Sequence, residues 1–161
     1  MSASIATQPR LTPRLPPRWF IRAAWAIHRA LYRVTRGKVG VWPPKPGGWG
    51  ALRLTTTGRH TGEPRSVILG YFEDETSFVV AAMNGWGAAE PAWSLNLQAN
   101  PSATIATRDW RGPVTGVAAT GEQRDRLWAR WKEIEPALDE FAALRSGVTE
   151  LIVFEPQDVA K

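Results

Sequence analysis

Residues 55–66 read TTTGRHTGEPRS. Arg59, His60 and Arg65 set three basic side chains within a short span, and Gly58, Gly62 and Pro64 mark a tight, irregular backbone. A connection of this kind presents backbone N–H groups beside cations, which is the chemistry that holds a phosphate or a carboxylate. A plain hairpin loop accounts for the glycines and the proline but gives no reason for the basic residues. Gly-Lys-Ser/Thr is absent, so the loop is not a Walker phosphate loop. Other chemistries have few residues to draw on. There is no cysteine, which excludes disulfides and thiolates, and His28 and His60 are the only imidazoles. No acidic cluster has ligand spacing, so no metal site is expected.

The elements that must position this loop can be read around it. A chain of 161 residues, 43% hydrophobic and 22% charged, fits one globular domain. Strand-like runs span 51–57, 65–72, 77–83, 102–109, 113–119 and 149–154, so the loop joins two neighbouring strands. Pro91 opens a short helix that Asn100-Pro101 ends. Thr120 and Gln123 have capping-box spacing before a helix whose Leu127, Trp131, Ile134, Leu138 and Phe141 keep a helical period, broken at Pro136. Hairpins with two helical insertions and no βαβ alternation predict an α+β, mostly antiparallel β fold, closed into a small barrel and not a Rossmann sheet.

The amino-terminal arm is of another character. Residues 1–38 carry eight arginines and lysines and no acid, whereas the remainder holds twelve basic residues against fifteen acidic ones. Residues 1–16 read as a loose lead-in, and a helix is predicted from Pro17 to about Thr35. At about 100° per residue, Arg18, Arg22, Arg29, Arg33 and Arg36 fall within an arc of roughly 60°, with Phe20, Ile27, Leu31 and Val34 opposite and Trp25 and Tyr32 flanking. That pattern suits a helix packed on the domain or one lying on anionic lipid. An organelle transit peptide and nucleic-acid binding are weaker readings, and nucleic acid is not expected as a partner. No run is long and uncharged enough to span a bilayer. The Pro/Gly-rich segment 37–50 sets the boundary, giving an arm over 1–47 and the barrel domain over 48–161.

Two runs, LTTTGRHTGEPRS at 54–66 and PAWSLNLQANPSATI at 91–105, together resemble the deazaflavin (coenzyme F-420)-dependent nitroreductase and quinone reductase family over about residues 50–155. The resemblance implies a split β-barrel like those of flavin-mononucleotide oxidases. It also implies that Arg59, His60 and Thr61 grip the coenzyme's phosphate and acidic tail, and that Arg65, Ser66, Val67, Ile68 and Leu69 run along the cofactor. Ala81, Ala82, Met83 and Asn84 would lie beside the deazaflavin, with Ala92, Trp93 and Asn96 as the helical wall and Trp93 next to the ring. An anionic tail suits cations and N–H groups, and a flat tricycle suits an aromatic or apolar wall.

Three departures from the family pattern bear on function. His60 stands where lysine or arginine is usual, and Met83-Asn84 stand where the family commonly has Ser-Lys. Glu135, Leu138 and Phe141 occupy the places of tyrosines that line the nitroreductase substrate pocket, so nitroimidazole reduction does not follow. The implied reaction is hydride transfer from reduced deazaflavin to a quinone, an enone or a nitro compound, with flavin mononucleotide as the runner-up cofactor. Tyr71, His60 or water would supply the proton. A cytoplasmic enzyme is expected, peripheral on the inner face of the cell membrane where residues 17–36 meet lipid, and an interfacial helix favours a lipid-soluble quinone. Two rivals stand beside it: a non-catalytic barrel holding flavin, haem or deazaflavin, and a peripheral membrane or nucleic-acid binding module using the arm with Trp19, Trp25, Trp42 and Trp49.

Overall fold

Side chains two apart on a strand share a face, and this chain has apolar residues on both faces of most strands. The computed structural model describes residues 17–34, 40–83, 85, 87 and 89–157. Strands β1 (Gly50–Thr57), β2 (Pro64–Asp74), β3 (Ser77–Ala81), β4 (Ser102–Ala106), β5 (Arg111–Ala118) and β6 (Leu151–Pro156) close into a barrel in the order β1-β2-β3-β6-β5-β4. Every ladder is antiparallel. Closure removes the sheet edges, and the expected mostly antiparallel barrel is what forms.

The two faces have separate cores. Leu52, Leu54, Leu69, Tyr71, Phe78, Val80, Ile105, Val114 and Phe154 fill the interior. The next residues along, Phe72, Val79, Ala81, Leu151 and Val153, turn outward and are covered by α3 (Gly121–Ile134) and α4 (Leu138–Ala143) through Leu127, Trp131 and Leu138. Burying each such side chain contributes roughly 1.5–3 kcal/mol. Pro136 divides the two helices as expected. The capping box at Thr120 does not form: its side chain makes no cap hydrogen bond, and Gly121 starts the helix at φ 54°.

Two attachments complete the frame. Asp74 on β2 accepts both guanidinium nitrogens of Arg126, at 2.9 and 2.8 Å, and one from Arg130 at 3.0 Å, which ties α3 to the β2–β3 hairpin. The Pro/Gly segment joins the barrel: Trp42 and Ala51 exchange backbone hydrogen bonds of 3.0 and 2.8 Å, and Val41 packs on Ala51 and Ile68. Gly50 is obligatory there, because a Cβ would lie 2.6 Å from the Pro44 nitrogen and 2.7 Å from the Tyr71 ring. By contrast the described apolar side chains Phe20, Ile27 and Val34 of α1 (Arg18–Val34) are exposed by 53, 62 and 82%. Arg22 is exposed as well, while the side chains of the other stripe arginines, Trp25 and Tyr32 lie outside the described set. No helix among the described residues is long and apolar enough to cross a membrane.

Candidate functional site

The basic loop 58–63 closes the β1–β2 hairpin at one end of the barrel, and α2 (Ala92–Ala99) lies against that end. Trp93 and Leu97 of α2 insert into the interior core, so the helix plugs the barrel beside the loop. Gly62 takes φ 70°, which only glycine adopts without strain, and its N–H donates to the Gly58 carbonyl at 2.7 Å. Gly58 N–H donates to the Glu63 carbonyl at 2.8 Å, and Glu63 N–H to Thr61 Oγ1 at 3.3 Å.

Asn96 makes the junction. Its Oδ1 accepts from both the Arg59 backbone N–H and the Arg59 guanidinium, each at 3.2 Å, and its Nδ2 donates to Thr56 Oγ1 at 3.1 Å. Thr56 Oγ1 in turn donates to the Arg65 carbonyl at 3.5 Å. Asn96 and Thr56 are 4% and 2% exposed, so the bond between them is shielded from water, while Arg59 stays exposed. The loop is therefore less rich in free N–H groups than its composition suggests, because those of Gly58, Arg59, Gly62 and Glu63 are all engaged within the protein. What it offers a ligand is the exposed side chains of Arg59, His60 and Arg65, opposed locally by Glu63 alone. Arg65 is steered by a 3.4 Å contact to Thr61 Oγ1. Beside the loop opens a cleft of about 260 Å³ of mixed character, lined by Thr55, Thr56, Thr57, Gly62, Pro64, Ser102, Ala103 and Thr104.

The expected site residues divide along the strand period. Arg65 and Ser66 are exposed at the loop end; Val67 and Leu69 point into the barrel; Ile68 faces the other way, beneath Val41. A continuous contact from 65 to 69 is thus not what the register provides. Ala81 and Ala82 are buried on opposite faces, and Met83 is half-buried. Ala92 is exposed, whereas Trp93 is 7% exposed and Asn96 is committed to the loop. Asn84 lies outside the described residues. Of the expected ring-side residues that are described, only Ala92 is exposed; Met83 packs against the outer cluster under α3 and α4, whereas Ala82 and Trp93 belong to the interior core.

Other expected residues lie elsewhere. Tyr71 pairs with Gly50 at the far end of the β1–β2 ladder, seven steps and on the order of 20 Å from the loop-side pair Thr57–Pro64. It is 1% exposed, and its phenol is pushed up to about 12 by burial and by the nearby charges of Glu73 and Asp109. A phenol so placed is a poor proton source. Leu138 is fully buried under α3 and offers no surface to a substrate. Glu135 and Phe141 are half-buried, with Glu135 Oε1 accepting from the Ala137 N–H at 3.4 Å. Sequence reasoning missed Arg145, which is buried and hydrogen-bonded to the segment between β3 and α2. A lone arginine in SGVT-flanked sequence gives no signal of burial.

A closed antiparallel barrel plugged by a short helix beside a cationic loop is the split-barrel class of cofactor proteins. Residues 25–155 match the model of the family described as F420H(2)-dependent quinone reductase, and the chain belongs to that family, an oxidoreductase family. It is 36% identical over 104 residues to an F420H(2)-dependent quinone reductase of Mycobacterium tuberculosis, the match covering 63% of this chain and 68% of that protein. A solved F420-H2 dependent reductase is 26% identical and superposes with a TM-score of 0.59, covering 65% of this chain and 93% of its own. A second solved structure, described as a domain-swapped dimer, is 24% identical with a TM-score of 0.62 over 83% of this chain and 99% of its own, a likeness of fold alone.

Proposed function

We propose that this chain binds reduced coenzyme F-420 and directs its hydride to a quinone-like acceptor. The observation that carries the reading is the tie between Asn96 and Arg59, which sets the cationic loop and the helix bearing Trp93 at one fixed separation. An anionic tail and a flat ring joined in one molecule match that pair of surfaces. Arg59, His60 and Arg65 would hold the tail, and the hydroxyl-lined cleft beside them accommodates its more distant part. Ala92 would border the ring beside the interior core that holds Ala82 and Trp93, with Met83 on the α3 side.

When bound, the deazaflavin supplies a hydride equivalent and disfavours one-electron chemistry. The chain's own work is then positional: the Asn96 network holds Arg59 before the ligand arrives, so less side-chain freedom is lost on binding. The interior core that holds Trp93 would exclude water from one face of the ring. A quinone taking up hydride also needs a proton; Tyr71 is too deep and too weakly acidic to give it and His60 would be at the tail, so solvent would supply it. Titration of the protein with coenzyme F-420 and, separately, flavin mononucleotide, followed by tryptophan fluorescence, tests the cofactor. Tight binding of the flavin and none of the deazaflavin would overturn it.

The exposed apolar side chains of α1 favour one further feature of this reading. Trp19, Phe20, Ile27 and Val34 are exposed on a helix from an arm with no acid, a composition suited to the surface of an anionic bilayer. There the helix would bring the barrel to a lipid-soluble quinone. Sedimentation with anionic vesicles should recover the full chain and not a chain lacking residues 1–36, with recovery falling as salt rises. Equal recovery of both would remove the lipid role.

A further inference from the structure

Arg145 follows α4, and its side chain is completely shielded from solvent. Its guanidinium donates from Nε to the Gly87 carbonyl at 3.2 Å. One terminal nitrogen donates to the Ala82 carbonyl and, at 3.0 Å, to Thr149 Oγ1. The other donates to Glu90 Oε1 at 2.8 Å. The Ala82 N–H is held by the same turn, donating to the Glu150 carbonyl at 2.7 Å.

Three of the four acceptors, Ala82, Gly87 and Glu90, belong to one segment. It begins inside the barrel core at Ala82 and ends at Pro91, which caps α2. The contacts of Arg145 reach it at both ends and in between, so one side chain ties Ala82 to Gly87 and Glu90. A buried cation is a costly way to add stability, since well-packed apolar residues often serve as well. What a guanidinium does better is reach several acceptors in one fixed plane. The other Glu90 carboxylate oxygen, Oε2, is buried with no protein partner among the described residues, so Arg145 is what holds that carboxylate.

We propose that Arg145 is a positioning residue for the ring side of the site. It holds Ala82, Gly87 and Glu90 and, through Pro91, the start of α2, so that Ala92 and Trp93 keep their places before any ligand binds. The inference rests on the deazaflavin reading for the identity of that ligand, but not for the coupling itself. It also separates the two halves of the site: Arg145 governs the ring, and the Asn96–Arg59 tie governs the tail.

Arg145→Lys keeps the charge and loses the planar fork, and Glu90→Gln keeps an acceptor and loses the ion pair. Amide hydrogen exchange on the ligand-free full chain should quicken within residues 82–99 and stay as in wild type over β1, β4 and β5. Affinities for coenzyme F-420 and for the tail-less 8-hydroxy-5-deazaflavin ring compound should fall by the same factor, about tenfold, as expected when a supporting contact behind a site is lost. Arg59→Ala should weaken the tailed coenzyme alone. Arg145→Gln should be worse than Arg145→Lys in both measurements. Faster exchange spread over the whole barrel, unchanged exchange in 82–99, or undiminished binding of the ring compound would each overturn the proposal. If Arg145→Lys does not fold, Glu90→Gln decides by the same criteria. Wild-type protein that takes up neither ligand would defeat the deazaflavin reading and leave the exchange map to judge the coupling.

Discussion

Replacing Asn96 by alanine removes three hydrogen bonds at once: two to Arg59 and one to Thr56. Thr56 is buried and is not resolvated, whereas Arg59 is exposed and exchanges its bonds for water. One buried polar group losing its partner costs about 1–3 kcal/mol, so the loss of stability should be about 1–3 kcal/mol and the urea midpoint should fall by roughly 0.5–1.5 M. The effect on coenzyme binding is smaller and of a different origin. Arg59 must then be ordered by the ligand, at a cost of about 1 kcal/mol, or roughly fivefold in affinity. In an Arg59→Ala background the guanidinium is already gone, so Asn96→Ala should lose less than half of that. Isothermal titration of the wild type, both single variants and the double variant measures the coupling. Losses that add to within about 0.5 kcal/mol would show Asn96 touching the ligand independently and refute the anchoring argument.

The remaining expectations concern charge and protonation. Arg59→Ala should weaken coenzyme F-420 by about 1–3 kcal/mol, and added salt should weaken the wild type more than the variant; overlaid isotherms at low salt would retire the tail site. Tyr71→Phe should leave hydride transfer within about twofold, since the phenol takes no part. Stability measured against pH should decline as pH rises from 10 through about 12, where the unfolded phenol ionises before the folded one, and Tyr71→Phe should abolish that decline. The Arg126 guanidinium, hydrogen-bonded to Asp74, holds that carboxyl below its usual 3.8. A depressed carboxylate stabilises above its unfolded-state pKa and loses that contribution as pH falls through the folded value. Asp74→Asn should therefore be destabilised at neutral pH and converge with wild type on acidification; a constant gap would contradict this.

Strand positions were legible because alternation and β-branching act locally: the runs at 51–57 and 77–83 appear as β1 and β3 with shifts of a residue or two. The loop at 58–63 was legible for the same reason, since glycine and proline fix turns by their own geometry. Burial at the site was not. Trp93 and Ala82 show the composition of a ring contact, yet α2 turns the indole into the barrel, a choice made by tertiary packing. Asn96 resembles a ligand contact in sequence, and only the fold places Arg59 and Thr56 within its reach, 37 and 40 residues away in the chain. Tyr71 and Leu138 carry plausible functional groups or positions, and their depth in the two cores is a property of closure that no local pattern encodes.

The central claim is that this barrel positions a reduced deazaflavin for hydride delivery to a quinone. Its most direct test is an anaerobic single-turnover experiment mixing the protein, loaded with reduced coenzyme F-420, against a short-chain quinone, followed by the long-wavelength absorbance of the oxidised deazaflavin. The account predicts one coenzyme oxidised per quinone reduced, slowed when the transferred hydrogen is deuterium and slowed by Arg145→Lys. Oxidation no faster than in the absence of protein, with the coenzyme demonstrably bound, would contradict it.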